Sequence, residues 1–361
     1  MITYDTSGKS YSLTETHLGG GEGKIYAVDN DANLYAKIFK AEKRTRGRQR
    51  KILEWEKMLN ENMINRNFCQ QIVVPRKCLY EQASSQNVQT FMGYTMEKQV
   101  NFRTLKNVYT LKDFNYMQKV WTARNLCVLT NCVHSLERKV TIGDYNADNI
   151  AVFLSTSTAK FIDVDSFQLI VNSSEKRILC PCTVGVPEFM APEIIRRLKK
   201  EKTDLENVNQ GPDSPIFNQY TDLYAMAYHI FALLMNGSSP YASMPNMKEL
   251  SQHPSKTVSH IDVNQFHAAE KGEFVFARRF FLRQAPDYAP KYGILIHKLQ
   301  KLFERAFIEG SRDPTARPDS SEFFMALNEY IDSLEERPCG HYMPSYYTGA
   351  CEWCRLENQQ F

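Results

Sequence analysis

The sequence predicts an α+β protein built as two packed lobes. Strand signals dominate the first part of the chain, and from about Asn101 onward the pattern turns mostly helical. Strands followed by helices, rather than alternating with them, favour segregated layers or lobes. A length of 361 residues also makes two domains the ordinary expectation.

In chain order, "YSLTETHLGGGEGKIYAVDN" reads as strand, glycine turn, strand, and "LYAKIFK" as a further short strand. Gln49 to Ile64 reads as a helix, with Ile52, Glu56, Leu59 and Met63 on one face. "IVVPRKCLYEQ" and "QTFMGYTMEK" read as two antiparallel strands around the polar turn "ASSQN". "NVNQGPDSPIFNQ" is a polar loop containing proline, and "EERPCG" marks a boundary before a short cysteine-containing tail. The chain has no internal repeat.

Composition narrows the function classes. Hydrophobic content of 43% and charged content of 24% are those of a soluble globular protein. A net charge of +3 makes no case for a nucleic-acid partner. The nine cysteines are odd in number and mostly scattered, and the start lacks a basic region followed by an apolar one. The near-apolar run Tyr224 to Met235 is 12 residues long, whereas a membrane span needs about 20. The expectation is a cytoplasmic protein with reduced thiols, no nucleic acid and no membrane.

The glycine cluster Gly19, Gly20, Gly21 and Gly23 lies between two strands, where backbone can approach phosphates that side chains would block. It is neither a P-loop nor a strict G-x-G-x-x-G, so a plain glycine-rich hairpin is the alternative. Lys37, on the next strand, is a candidate to reach the α and β phosphates of a nucleotide, with a solvated surface lysine as the alternative. Glu56, on the apolar helix face, is preferred over Glu54 as its carboxylate partner.

Further along, "IGDYNADN" sets Asp144 and Asn149 in the spacing of a catalytic loop, and "FIDVDSF" supplies Asp163 as a second acidic group. Asp165 reads as a turn residue, with a second metal ligand as the alternative. "CTVGVPEFMAPEIIRR" resembles the G-T-P-x-Y-M-A-P-E segment of serine/threonine protein kinases, and "YTDLYAMAYHIFALLMNGSSPY" resembles their central buried helix. "SRDPTARPDS" resembles the D-P-x-x-R-P turn.

On these motifs the chain resembles the protein kinase superfamily, in its serine/threonine branch. In detail it resembles bacterial kinases with I-G-D-x-N-x-x-N and I-D-x-D-S-F motifs and a Cys-rich tail. The resemblance implies a bilobal kinase fold: N-lobe 1–98, mostly helical C-lobe 99–336, and a tail 337–361. It implies ATP with Mg2+ or Mn2+ and phosphoryl transfer to protein hydroxyls. Asp144 would orient the substrate hydroxyl and accept its proton, and Asn149 and Asp163 would hold magnesium. Lys37 and Glu56 would position ATP, and Met96, Glu97 and Lys98 would meet the adenine edge. Asp222 would cap the catalytic loop, and Arg317 would pair with Glu193. Some relatives are encoded beside a metal-dependent protein phosphatase and a von Willebrand A-type protein, which stand as partner expectations.

Two departures bear on regulation and rate. Gly143 replaces the arginine that meets an activation-loop phosphate in the family, so activity independent of Thr183 phosphorylation is expected. Asn146 replaces the lysine that neutralises the γ-phosphate, which favours a pseudokinase or nucleotide-regulated scaffold as the alternative. In the tail, Cys339, His341, Cys351 and Cys354 form a candidate zinc-ribbon-like site, with free thiols as the other reading. The basic runs Lys40–Lys51 and Arg196–Lys202 read as solvated helix ends and loops.

Overall fold

The computed structural model describes residues 1–358 apart from 62–63, 65–69, 84–85, 137–139, 173–175, 253–258 and 260. Met63 and the two serines of the "ASSQN" turn therefore lie outside the described residues. The strand-rich part is a single sheet of β1 (Ile2–Tyr4), β2 (Ser10–Gly19), β3 (Gly23–Val28), β4 (Leu34–Phe39), β5 (Lys77–Tyr80) and β6 (Phe91–Glu97). The strand order is β1-β2-β3-β4-β6-β5, closed into a barrel by the pairing of Tyr4 with Tyr80.

Side-chain alternation along β4 fixes what each face does. Ala36 and Ile38 pack inside the barrel with Tyr11, Leu13 and Val28. Phe39, on the same face as Lys37, packs with Ile52 of helix α1 (Arg46–Asn60), Tyr80 and Tyr94. Lys37 stands opposite Tyr94 of β6. The preceding residue of β6 must be glycine, because a Cβ at Gly93 would sit 1.9 Å from the Lys37 carbonyl oxygen. Helix α1 starts where the Thr45 side chain accepts from the Arg48 N–H.

The rest is mostly helical: α2 (Tyr116–His134), α3 (Pro192–Glu201), α4 (Gln219–Leu234) and α5 (Ser320–Asp332), among shorter helices. Capping boxes start α2 at Asn115, α4 at Asn218 and α5 at Asp319. Every residue of α4 from Thr221 to Leu234 is buried, so this helix is the axis of the large core. No described helix is long and apolar enough to cross a membrane.

Short strands β7 (Arg103–Thr104), β8 (Val140–Thr141), β9 (Ile150–Phe153), β10 (Thr158–Phe161), β11 (Gln168–Asn172) and β12 (Arg177–Cys180) make two three-stranded sheets, and β13 (Met244–Pro245) pairs with β14 (Arg283–Gln284). At the C-terminal end, β15 (Leu334–Glu336) pairs with β16 (Tyr342–Pro344), followed by helix α6 (Glu352–Asn358). This tail is docked: Trp353 lies 4.4 Å from Tyr116 between ring centroids, and its Nε1–H donates to the Tyr342 carbonyl.

Candidate active site and metal centre

One β-hairpin and the loop before it bring the acidic residues to one place. Ile150 of β9 faces Phe161 of β10, and the Ile162 N–H donates to the Asn149 carbonyl at 2.8 Å. Asn149 and Asp163 therefore leave the same end of this hairpin. Asn149 Nδ2 donates to Asp144 Oδ2 at 3.1 Å, so the amide orients the carboxylate. Burial pushes Asp144 up to about 6, with Glu22 adding to the rise and the Asn149 amide opposing it. Asp163 holds φ 100°, a left-handed conformation that costs a non-glycine residue energy and is concentrated at functional sites.

The loop that carries Asp144 is held from α4. Asp222 accepts from the Ile142 N–H at 2.8 Å and the Gly143 N–H at 3.0 Å, the capping expected of it. His229, fully buried, lies 2.6 Å from the Tyr145 carbonyl through Nε2 and 2.6 Å from the Tyr109 hydroxyl through Nδ1. A carbonyl only accepts, so Nε2 carries the proton and Nδ1 accepts from Tyr109. Burial pushes His229 down to about 4 and keeps it neutral. The loop backbone is thus anchored by a histidine from a distant helix, which the sequence motif did not flag.

Gly143 has φ +72°, and a Cβ there would lie 2.8 Å from Cys182 Cβ. The absent arginine is therefore a packing fact: the Cys182 side chain lies against the place a larger residue would need.

Lys37 is where the expectation needs correction. Its Nζ donates to Asp163 Oδ1 and to both oxygens of Asp165, at 2.9 and 3.1 Å. Glu56 does not meet Lys37; it accepts from Lys77 Nζ at 2.8 Å and from the Cys78 N–H at 3.0 Å. The apolar face of α1 does point inward, but Glu56 is directed to β5 rather than β4. Asp165 is likewise more than a turn residue: its side chain is 1% exposed and also accepts from the Tyr94 hydroxyl at 2.6 Å. Burial alone would raise Asp165, but Lys37 and the Tyr94 hydroxyl outweigh it and hold it low. Asp163 goes the other way, raised by burial and by the neighbouring Asp165 carboxylate. Lys37 is driven down by burial and more strongly up by Asp165 and Asp163, so it stays charged.

Helix α1 turns two cations toward this cluster. Arg48 pairs with Glu22 of the glycine turn and lies 3.5 Å from Asp165. Lys51, buried, donates to the Pro181 carbonyl at 3.0 Å and the Ser166 carbonyl at 3.4 Å. Gly20 and Gly21 of the turn have nothing within 4 Å of where a side chain would begin. Met96 and Glu97 end β6, and the Lys98 N–H is already donated to the Asn33 carbonyl at 2.8 Å.

Beyond the loop, Arg317 forks onto Glu193 at 2.6 and 2.7 Å and also donates to the Tyr220 and Gly310 carbonyls. The pair ties the start of α3 to the turn before α5.

In the tail, Cys339, His341, Cys351 and Cys354 bring one ligand atom each within 4.8 Å of one another. His341 Nδ1 lies 3.7 Å from Cys351 Sγ and 3.4 Å from Cys354 Sγ. Ligands of one tetrahedral zinc stand about 3.5 Å apart. His341 Nε2 faces Glu357 at 3.3 Å, the outer-shell carboxylate that orients a metal-binding imidazole. This donor set fits zinc.

No protein-family model matches the chain. It is 23% identical over 349 residues to protein kinase YegI of Escherichia coli strain K12, covering 94% of this chain and 48% of the relative. The protein of the same name from Escherichia coli O157:H7 is 24% identical over the same length. The chain thus spans about half the length of the curated relatives it matches. These similarities support a protein kinase-like family for the chain.

Proposed function

We propose that this protein kinase-like chain is an ATP-dependent serine/threonine protein kinase with a bilobal kinase fold, residues 1–98 and 99–336 being the lobes and 337–361 a zinc-binding tail. The observation that carries the reading is the convergence of Lys37 on Asp163, beside Asn149 and its partner Asp144, under an open glycine turn. Phosphoryl transfer asks the protein mainly for positioning and charge, and this cluster has the groups for both. Asp144 orients the substrate hydroxyl and accepts its proton. Lys37 meets the nucleotide phosphates. Among the described residues nothing donates to Asn149 Oδ1, and Asp163 is a third exposed, so both have oxygen to offer a divalent cation. Magnesium bound there would neutralise charge on the transferring group. Met96 and Glu97 are proposed to border the adenine.

A pseudokinase or nucleotide-regulated scaffold is the second reading, and Asn146 favours it. Its side chain accepts from the Asp148 N–H within the loop and brings no positive charge. Radiolabelled ATP with a generic protein substrate separates the two. Transfer supports the kinase; ATP binding without transfer supports the scaffold.

Contacts available without a phosphate support activity independent of Thr183 phosphorylation. Cys182 packs on Gly143, Lys51 grips the Pro181 carbonyl, and Glu193 is locked to Arg317. Thr183→Ala, assayed on dephosphorylated protein, should keep its rate within about threefold of the parent. A large loss would show that loop phosphorylation is needed after all.

The tail is proposed to bind one zinc per chain. Purified protein should hold close to that amount, and less than about 0.5 per chain after gentle preparation would count against it. Chelation should also change Trp353 fluorescence, because the ring rests on Tyr116 only while the tail is ordered.

A further inference from the structure

The glycine turn and helix α1 hold a pair that the reaction as described does not use. Glu22, at the turn, and Arg48, one turn into the helix, face each other as carboxylate and guanidinium, with Arg48 Nη1 2.9 Å from Glu22 Oε2 and Nη2 on Oε1. Their side chains are 18% and 15% exposed, so this is not an ordinary solvated surface pair. Arg48 is also held over the Phe39 ring, 5.0 Å from its centroid, and Lys37 approaches the same ring at 5.6 Å. The two cations therefore flank one aromatic side chain and share Asp165.

A fork of two N–H groups on two oxygens is the arrangement a guanidinium makes with a carboxylate or with a phosphate. The site needs such a group. Lys37 is already committed to two carboxylates, and Asn146 brings no charge where a cation would serve the transferring phosphoryl. Glu22 contributes a further negative charge close enough to raise Asp144. A carboxylate in that position repels the phosphates of an incoming nucleotide and occupies the arginine that would bind them.

We propose that Arg48 is a phosphate-binding residue of the nucleotide site and that Glu22 is its built-in competitor, a carboxylate that stands where phosphoryl oxygens bind. The proposal rests on the nucleotide-binding reading given above and adds to it a named cation and a named antagonist. The turn leaves Glu22 room to move, because a Cβ built at Gly20 or Gly21 beside it would meet nothing within 4 Å. Arg48 can re-aim, because it borders a cavity of about 330 Å³ shared with Lys51 and Thr183. The occupant recognised is the polyphosphate of a nucleoside triphosphate, not its base or sugar.

Calorimetric titration of the full chain with ATP and magnesium, and separately with adenosine, tests this in four proteins: the parent, Glu22→Gln, Arg48→Gln and the double variant. Glu22→Gln should tighten ATP binding about fivefold or more by removing the competitor. Arg48→Gln should weaken it about tenfold. Neither should change adenosine binding, and in the Arg48→Gln background the Glu22 change should have a clearly smaller effect, because only the direct repulsion of the phosphates is then left to remove. If Glu22→Gln leaves ATP affinity unchanged or weakens it, or if Arg48→Gln weakens ATP and adenosine equally, the pair is a structural latch and the proposal is wrong. If the parent binds neither ATP nor adenosine, the nucleotide-site reading itself fails, and this inference falls with it. Glu22→Gln lies on an open turn, so its result stands even where Arg48→Gln lowers stability.

Discussion

Asp144→Asn is expected to lower kcat about 1,000-fold and leave ATP affinity within about twofold. The substitution keeps the size of the side chain and an oxygen that can accept from Asn149 Nδ2, so the loop geometry held by Asp222 and His229 should survive. What it removes is the acceptor for the hydroxyl proton and one negative charge beside Glu22. Measuring single-turnover transfer alongside ATP binding separates these effects. A variant that keeps more than a tenth of the parent rate would mean that another group accepts the proton, or that none needs to.

The second large effect is on stability. Arg317→Ala should cost about 3 kcal/mol or more in urea unfolding, because it removes the partner of a buried ion pair rather than the whole pair. Arg317 is fully buried and fills a set of acceptors: both Glu193 oxygens and the Tyr220 and Gly310 carbonyls. Its guanidinium also lies 5.1 Å from the centre of the Tyr224 ring. Truncation would take the guanidinium donors away from those oxygens and free the start of α3 from the turn before α5. Glu193→Gln should cost less, since the amide still accepts and the carbonyl partners of Arg317 remain. Equal losses in the two variants would show that packing around the arginine, not the charge pair, sets the cost.

The outline of the site was legible because local patterns encode it. Alternation in "LYAKIF" assigns Lys37 and Phe39 to one face, and the spacing of Asp144, Asn149 and Asp163 survives into one hairpin and the loop before it, which bring them together. The clustering of the four tail residues was legible for a similar reason, since residue type and spacing travel with the local chain. Arg317 and Glu193 lie far apart in sequence and were read only through the motif resemblance.

The partner of Lys37 was harder to read. Helical periodicity says that Glu56 points inward, but not which strand lies inward of it, and that strand is β5. The carboxylate at Lys37 comes instead from Asp165, whose turn-like surroundings in sequence gave no sign of burial. Within the basic run from Lys40 to Lys51, Arg48 and Lys51 were misread for the same reason, while most of the others are exposed or half-buried as expected. Their composition is that of a solvated helix end, yet Arg48 meets Glu22 and Lys51 meets the Pro181 carbonyl because the start of α1 packs against both elements. A hydrophobic count cannot find a buried cation whose partners are backbone carbonyls and side chains from other elements. His229 was hidden within the most apolar helix, and only its contacts to Tyr109 and Tyr145 reveal its part in holding the loop.

The central question is whether this cluster moves a phosphoryl group. The direct measurement is transfer from γ-labelled ATP to a generic protein substrate by the zinc-replete full chain, across magnesium and manganese concentrations, followed by identification of the labelled residue. The predicted result is label on serine or threonine with the parent protein and essentially none with Asp144→Asn. Tight ATP binding with no transfer at any metal concentration would contradict it and leave the nucleotide-regulated scaffold as the better description.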